Sequence, residues 1–204
     1  MPKIKKFILI TGFEPFAEHQ TNISQDIANA FAGKITSFKN KDCTYELHWQ
    51  AEILNVDEQG SSQIANMLKQ KPNAFDAIIQ CGLCETCTQI HIETKAKNRL
   101  HMRVADNAGR KIEDALIIPD GPHELMTSTP LENLNLDSFP YAKTSEDAGA
   151  YVCNETYFRS LLTVQAKQLS LPLIFLHLPS AEKMNFADQY KFIESLPEQF
   201  LRTR

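Results

Sequence analysis

The stretch Phe7-Ile8-Leu9-Ile10, followed at once by Thr11-Gly12-Phe13-Glu14-Pro15-Phe16, decides the fold class. An unbroken apolar run of this length is typical of a parallel strand that is buried on both faces. Ligands in open α/β sheets collect beyond the carboxyl ends of such strands. Phe13 and Phe16 are therefore candidates for contact with a ligand. Packing of both rings beneath the first helix is the alternative, and general burial statistics favour it for an isolated Gly-Phe loop.

Short apolar runs alternate with amphipathic stretches along the rest of the chain, which is the pattern of strands and crossover helices. Further strands are predicted at 45–53, 75–82 and 171–179. Helices are predicted at 24–32 with Ser24 as the N-cap, at 58–70, at 150–168, and after a cap at Asn185. Hairpins and loops are expected at 88–104 and 112–140. We predict one α/β domain over residues 1–204, with helices on both faces of an open, twisted, mostly parallel sheet (an α/β/α sandwich).

The composition narrows the class of protein. The chain has 204 residues, of which 43% are apolar and 23% charged, and this suits one globular domain. A formal net charge of −4 provides no basic surface, so we expect no nucleic-acid partner. The first apolar run is too short for a signal-peptide core or for the roughly 20 residues that span a bilayer. We therefore expect a cytoplasmic protein without a membrane partner.

Cysteine chemistry is the favoured enzymatic hypothesis. The chain has five cysteines, an odd number without an export signal, and this indicates reduced thiols. Cys153 falls in the first turn of a predicted helix, where the helix dipole stabilises a thiolate and backbone N–H groups can hold an oxyanion. His177, near the end of the last predicted strand, could serve as its acid and base. Spacing alone does not single out this pair, and two buried core residues are the alternative.

A second group of cysteines suggests a competing hypothesis. Cys81, Cys84 and Cys87 form a C-x-x-C-x-x-C array that resembles part of a zinc or iron–sulfur ligand set. His91 lies nearby, but no second C-x-x-C pair completes four ligands, so three free thiols are favoured over a metal site. Glycine-rich phosphate loops and the G-x-S-x-G motif are absent from the sequence. We expect no metal and no cofactor.

Five separated segments together resemble one family, the pyrrolidone-carboxylate peptidases, also called pyroglutamyl peptidases of type I. They occur in the family's order and approximate spacing and span nearly the whole chain. The segments are TGFEPF from Thr11 with Asn22 after it, Cys81-Gly82 leading to IHIETKAKN from Ile90, RVADNAG from Arg103, DAGAYVCN from Asp147, and FLHLP from Phe175.

The resemblance implies a cytosolic cysteine peptidase with an open α/β sandwich that needs neither metal nor cofactor. Such a peptidase removes an N-terminal pyroglutamyl residue from peptides through a thioester acyl-enzyme. The family's nucleophile falls on Cys153, its histidine on His177 and its acidic partner on Glu93. Family members differ in assembly, so a homo-oligomer is also possible.

The resemblance also implies a set of substrate-binding residues. Phe13 and Phe16 correspond to rings that sandwich the lactam, and Asn22 to a polar group that binds it. Val104, Tyr151 and Val152 correspond to apolar walls of the site. Leu83 corresponds to a backbone contact, and Arg103 to a cation beside the catalytic groups. A flat, neutral lactam is well recognised by apolar faces and a few hydrogen bonds at its edge.

The chain departs from the family's pattern around the expected site. Leu83 replaces a common glutamine, Thr86-Cys87 replaces Gly-Arg, Ile23 stands where a proline follows Asn22, and Ala105 also replaces a proline. The altered segment from Leu83 to Cys87 supports an alternative hypothesis, in which the chain is a catalytically impaired member that binds a pyroglutamyl or other lactam ligand without turnover.

Overall fold

A computed structural model describes residues 2–40 and 43–201. The strands within these ranges are β1 (Lys3–Phe13), β2 (Ile35–Asn40), β3 (Cys43–Leu54), β4 (Ala77–Cys84), β5 (Ile90–Glu93), β6 (Lys95–Lys97), β7 (Glu124–Met126), β8 (Ala142–Ser145) and β9 (Leu173–Pro179). The helices are α1 (Ile23–Phe31), α2 (Glu58–Gln70), α3 (Val152–Ala166) and α4 (Phe186–Leu201). Two short 3₁₀ turns, Leu131–Asn133 and Leu136–Ser138, lie in the region predicted to be rich in loops.

Seven of these strands form one sheet in the order β2-β3-β1-β4-β9-β5-β8. Its centre, from β3 to β9, is parallel throughout. Towards the edges, β2 runs antiparallel to β3 and β5 runs antiparallel to β9, while β8 is parallel to β5. The prediction of a mostly parallel α/β sheet is confirmed. A separate antiparallel ribbon of β6 and β7 lies outside the main sheet.

Three residues of the apolar run in β1, Ile8 to Ile10, are buried as predicted, whereas Phe7 at its start is 40% exposed. Ile8 and Ile10 are 0% exposed and pack in the cluster formed with α1 and α4. Leu9, at 1% exposed, belongs to the cluster on the opposite face, which is formed with α2 and α3. Full burial of each such side chain contributes about 1.5–3 kcal/mol. Helices therefore cover both faces of the sheet, as the sequence predicted.

The start of α1 differs from the prediction, because Asn22 rather than Ser24 is the N-cap. Asn22 Oδ1 accepts hydrogen bonds from Ser24 N at 3.0 Å and from Ser24 Oγ at 2.8 Å. The Ser24 hydroxyl instead accepts from Phe13 N at 3.0 Å, which ties the helix to the end of β1. Gly12 permits this approach, since an added Cβ would lie 2.1 Å from the carbonyl oxygen of Ser24.

The other predicted elements are found with shifted boundaries. The alternating strand is longer than expected as β3, and the helix expected from 150 begins at Val152 as α3. Asn185 caps α4 as predicted, because its Oδ1 accepts from Asp188 N at 2.9 Å. None of the helices in the described ranges has both the length and the hydropathy needed to cross a membrane.

The Asn22 cap provides a test of the packing between β1 and α1. Asn22 is 1% exposed, and its Nδ2 also donates to Glu14 O at 3.1 Å. We expect Asn22→Ala to lower the free energy of unfolding by about 1–2 kcal/mol, because a cap and a buried acceptor are lost together. Asn29→Ala, at an exposed position of the same helix, is the matched control and should change stability little. Urea denaturation of both variants measures the difference, and equal stabilities would contradict the capping role.

Candidate active site

The candidate site lies where β4, β9 and β5 meet. Gly82 of β4 is in register with His177 of β9, and His91 of β5 is in register with His177 on the other side. Glu93 is the last residue of β5. The carboxyl ends of the parallel strands β4 and β9 thus place His177 at the edge of the sheet where ligands of α/β proteins bind.

His177 and Glu93 form a hydrogen-bonded pair. The Nδ1 atom of His177 lies 2.8 Å from Oε1 of Glu93. The Glu93 side chain is 0% exposed and the His177 side chain 13% exposed. Tyr157 of α3 donates its hydroxyl to the backbone oxygen of Glu93 at 3.0 Å. A carboxylate on Nδ1 fixes the orientation of the imidazole and leaves Nε2 available for Cys153.

The surroundings of His177 favour its protonated form. Burial acts to lower the pKa of His177, but hydrogen bonds and charge interactions with Cys153 and Glu93 outweigh it and raise the pKa from 6.5 to about 10. The imidazole is therefore a cation at neutral pH in the free protein. A cationic histidine beside a cysteine is the arrangement that stabilises a nucleophilic thiolate.

Cys153 is the second residue of α3, so its predicted position in the first helical turn is confirmed. The N–H groups of a first turn have no partners within the helix and can bind a negatively charged oxygen. The thiol packs against the backbone of β4, where a Cβ added at Gly82 would lie 2.8 Å from Cys153 Sγ and 3.0 Å from Phe175 Cζ. Only glycine at position 82 leaves room for the thiol beside the strand.

A cavity of about 720 Å³ opens onto these groups. Cys153, His177 and Glu93 all line it, and so do five of the residues predicted to bind substrate, namely Phe16, Leu83, Arg103, Val104 and Tyr151. The Phe16 and Tyr151 rings face each other with their centroids 6.0 Å apart. The structure thus brings three predicted catalytic residues and five predicted binding residues to one cavity.

Three predicted binding residues lie behind the cavity wall and not in its lining. Phe13 is 2% exposed, and Asn22 and Val152 are each 1% exposed. Phe13 belongs to the core cluster formed with α2 and α3, so the predicted pair of rings on the cavity is not Phe13 with Phe16 but Tyr151 with Phe16. Asn22 uses its side chain to cap α1, and Val152 packs into the same core cluster as Phe13.

The cavity lining also contains polar residues that sequence reasoning did not select. They are His91, Lys97, Arg99, His101, Ser145 and Asp147. Lys97 Nζ donates to Asp147 Oδ1 at 2.9 Å, and this hydrogen bond holds the pKa of Asp147 below its usual range. Lys97 lies in the segment IHIETKAKN, and Asp147 lies in the segment DAGAYVCN. Their membership of these segments is the sequence feature that could have marked them as site residues.

A buried ionic network holds the segment of Arg103 and Val104 against α3. Arg110 donates to Asp106 Oδ2 at 2.8 Å and to Glu155 Oε2 at 2.7 Å, and both carboxylates are fully buried. Burial opposes the charge of Arg110, but its hydrogen bonds to Glu155 and Asp106 raise its pKa. Because Glu155 lies two residues after Cys153, the network links one wall of the cavity to the helix that carries the thiol.

The expectation that all five cysteines are reduced thiols is wrong. Cys84 and Cys87 form a disulfide, whereas five reduced thiols were expected. The C-x-x-C turn brings their Cα atoms to 5.4 Å, a separation that spacing in the sequence does not reveal. The alternative of a metal site on three thiols fails with it, because two of the sulfurs are bonded to each other. Cys81 is fully buried, which raises the pKa of its thiol.

A comparison with known families identifies the family of the chain. The model of the family described as pyroglutamyl peptidase matches residues 6–201, which include Cys153, His177 and Glu93. The chain belongs to the pyroglutamyl peptidase family. The resemblance drawn from the five sequence segments is therefore confirmed at the level of the family.

Pyrrolidone-carboxylate peptidases from several organisms are similar to the chain over most of its length. The protein from Oceanobacillus iheyensis is 30% identical over 187 residues, which cover 88% of this chain and 86% of that protein. The protein from Pyrococcus furiosus is 29% identical over 176 residues, which cover 84% and 80%. The match therefore extends across the fold of this pyroglutamyl peptidase family member and is not confined to one motif.

Solved structures of pyrrolidone carboxyl peptidases share the fold. A mutant of the Pyrococcus furiosus protein superposes with a TM-score of 0.82 at 25% identity and covers 97% of this chain and 99% of that one. The Thermococcus litoralis protein gives a TM-score of 0.83 at 25% identity and covers 96% and 93%. The α/β fold of the pyroglutamyl peptidase family is thus shared with this chain.

The contact between Gly82 and Cys153 leads to a test. We expect Gly82→Ala to lower kcat about 10- to 100-fold, because the new methyl group displaces the sulfur of Cys153, which as the predicted nucleophile must be placed to within about 1 Å. Release of pyroglutamate from a chromogenic pyroglutamyl amide measures the effect.

Gly33→Ala is the matched control for this test. Gly33 has φ +71°, and an added Cβ meets nothing within 4 Å among the described residues. Alanine there should reduce stability through backbone strain and leave kcat unchanged. A Gly82→Ala variant with kcat within about twofold of the wild type would show that the thiol is not confined by β4.

Proposed function

We propose that this chain is a cysteine peptidase that hydrolyses the bond after an N-terminal pyroglutamyl residue, with Cys153 as nucleophile, His177 as acid and base, and Glu93 as the residue that orients His177. The observation that carries the proposal is the 2.8 Å contact of His177 with buried Glu93, placed beside Cys153 at the start of α3. Membership of the pyroglutamyl peptidase family supports the choice of substrate.

Acylation would proceed by addition of the Cys153 sulfur to the carbonyl group, followed by loss of the amine. The Cys153 sulfur attacks the pyroglutamyl carbonyl carbon, and the oxyanion that forms accepts hydrogen bonds from N–H groups in the first turn of α3. His177 gives its Nε2 proton to the leaving amine as the C–N bond breaks. The shortened peptide departs, and the pyroglutamyl group remains on Cys153 as a thioester.

Deacylation would reuse the same groups. His177, now neutral, takes a proton from a water molecule, and the oxygen of that water attacks the thioester carbonyl. The C–S bond breaks, pyroglutamate leaves, and the thiolate and the imidazolium are restored. Glu93 stabilises the imidazolium in both resting and reacting states. Pairing with a cation also offsets the cost of burying its carboxylate, whose Oε2 has no hydrogen-bond partner among the described residues.

The cavity suits a flat lactam ring. Phe16, Tyr151, Leu83 and Val104 offer apolar surface, and the backbone of Leu83 can contact the lactam edge. Arg103, which is exposed at the cavity, would place a positive charge near the oxyanion or Glu93. In this proposal Phe13, Asn22 and Val152 act indirectly, by supporting the residues that touch the ring.

Two walls of the proposed lactam site are bonded to each other. Asn107 Nδ2 donates to Glu14 Oε1 at 2.9 Å and to Pro15 O at 3.0 Å. Asn22 Nδ2 also donates a hydrogen bond to the backbone oxygen of Glu14. The loop of Phe16 and the segment of Arg103 and Val104 therefore move as one unit, which favours a cavity that is formed before substrate arrives.

The proposed setting is the cytoplasm, with pyroglutamyl peptides as partners and a homo-oligomer as a possible assembly. The competing proposal is a binding protein without turnover, and the altered segment from Leu83 to Cys87 in the cavity wall favours it. Both proposals assign the same cavity to the lactam. They differ in whether Cys153 reacts.

Replacement of the nucleophile separates the two proposals. We expect Cys153→Ala to lower kcat for a pyroglutamyl amide by at least about 10³-fold while a pyroglutamyl peptide still binds. Cys43→Ala, which removes the free thiol on β3, is the matched control and should retain wild-type kcat. Turnover by Cys153→Ala would overturn the assignment of the nucleophile. A wild-type protein that binds the peptide without hydrolysing it would favour the binding protein.

The pH profile tests the role of Glu93. Because the pKa of His177 is raised to about 10, the alkaline limb of kcat/KM should have its midpoint near pH 10, where the imidazolium loses its proton. Glu93→Gln removes a charge that raises this pKa, so the alkaline limb should move down by about 1 unit or more. Glu146→Gln, at an exposed carboxylate, is the matched control and should leave the limb in place. An unchanged limb in Glu93→Gln would contradict the orienting role.

A further inference from the structure

The Cys84–Cys87 disulfide lies in the wall of the candidate active site. Cys84 is the last residue of β4, and Cys87 closes the turn that follows, with its N–H donating to Cys84 O at 3.3 Å. Both cysteines and the intervening Thr86 line the cavity that contains Cys153 and His177. A disulfide in this place can change the shape of a substrate site and not only the stability of the fold.

The two sulfurs of the disulfide differ in accessibility. Cys84 is partly exposed to the cavity, whereas Cys87 is 7% exposed. A thiolate entering from the cavity therefore reaches Cys84 Sγ first, and Cys87 Sγ becomes the leaving group. Thiol–disulfide exchange requires access to the attacked sulfur and stabilisation of the sulfur that leaves.

His91 is placed to serve the leaving sulfur. Its Nδ1 lies 3.6 Å from Cys87 Sγ, and because a disulfide sulfur carries no hydrogen, the ring N–H is the donor in this contact. Burial and the nearby charge of Lys143 lower the pKa of His91, so the ring is neutral at pH 7. Its ring N–H can donate a hydrogen bond to the departing thiolate of Cys87 and so stabilise the leaving sulfur.

We propose that Cys84 and Cys87 form a redox-active disulfide that controls how tightly the cavity binds a pyroglutamyl substrate. The proposal rests on the function proposed above for the same cavity. The reductant is a low-molecular-weight thiol, and the oxidant is the corresponding disulfide.

The exchange balances in two steps. In the first, the thiolate of one reductant molecule attacks Cys84 Sγ, the Sγ–Sγ bond breaks, and Cys87 leaves as a thiolate that accepts a hydrogen bond from His91 and takes a proton from solvent. In the second, a further reductant thiolate attacks the reductant sulfur of the mixed disulfide and releases Cys84 as a thiolate that takes a proton from solvent. Two electrons reach the protein, and the two reductant molecules end as one disulfide.

The oxidised state is the one that binds tightly. The crosslink closes the base of the turn, while its tip is held by contacts of Glu85 with His19 and with Lys183. Leu83 and Thr86 are thereby kept in the cavity lining. Reduction frees the backbone of the turn, which must then be ordered each time a ligand binds.

The redox state of the pair is measured first, in a Cys153→Ala background that removes the competing thiol. The protein is equilibrated with mixtures of reduced and oxidised glutathione, labelled with N-ethylmaleimide and analysed by mass spectrometry of the peptide that contains both cysteines. We expect two more labels on this peptide in reducing mixtures than in oxidising ones, because Cys81, which lies on the same peptide, is labelled to the same extent in both. A pair that stays crosslinked in every mixture, or open in every mixture, would overturn the proposal.

Binding is then measured in both states by calorimetry with a pyroglutamyl dipeptide. Reduction should weaken binding about five- to tenfold, as expected from the entropy of ordering one backbone residue. Addition of Cys84→Ser and Cys87→Ser should give the weaker affinity in every mixture. Addition of Cys43→Ser, on β3, is the matched control and should preserve the redox response.

The outcomes separate the two proposals. Equal affinity in both redox states, with the dipeptide bound, overturns the redox role and leaves the proposed function intact. Absence of binding in both states overturns the proposed function, and the redox role with it. An affinity that changes with redox state in the double serine variant would assign the effect to another group and also overturn the proposal.

Discussion

A hydrogen bond of 2.8 Å joins His177 to Glu93, two residues that lie 84 positions apart in the chain, and the arrangement of the site depends on it. Neither side chain would be stable in its place alone. An isolated buried carboxylate is costly, and burial by itself disfavours the charged imidazole. Together they create a fixed cation beside Cys153. Tyr157 extends the pair to α3 by donating to the backbone of Glu93, so that helix, β5 and β9 meet at one point.

The walls of the cavity are held by three different kinds of interaction. The Phe16 loop is bound to the Arg103 segment by hydrogen bonds from the Asn107 side chain to the Glu14 carboxylate and to Pro15 O. The same segment is attached to α3 by the charged network of Arg110 and Glu155. The turn after β4 is closed by a covalent bond between two sulfurs. Of the three, only the covalent bond can be opened by the redox state of the surroundings, which makes that wall the adjustable one.

Two sulfur chemistries share this cavity and place opposite demands on the surroundings. Cys153 must stay reduced to act as the proposed nucleophile, whereas the turn of Cys84 and Cys87 is crosslinked only after oxidation. Fully buried Cys81 takes part in neither, because it has no access to solvent or substrate. The departures from the family's pattern at Leu83 and at Thr86-Cys87 fall on the same wall. The differences in sequence and the redox-sensitive bond are therefore one local feature.

The sequence by itself determined the four strands at the centre of the sheet, β1, β3, β4 and β9, the four helices, and the three residues proposed for catalysis. Apolar runs buried on two faces and helical periodicity are local patterns, and the five family segments carried Cys153, His177 and Glu93. Only the tertiary structure decided which aromatic rings face the cavity, that Asn22 caps a helix, and that Cys84 bonds to Cys87. Each of these depends on how side chains from distant segments compete for the same space or the same hydrogen-bond partner. Such competition is decided by packing in three dimensions, and the spacing of residues along the chain does not predict its outcome.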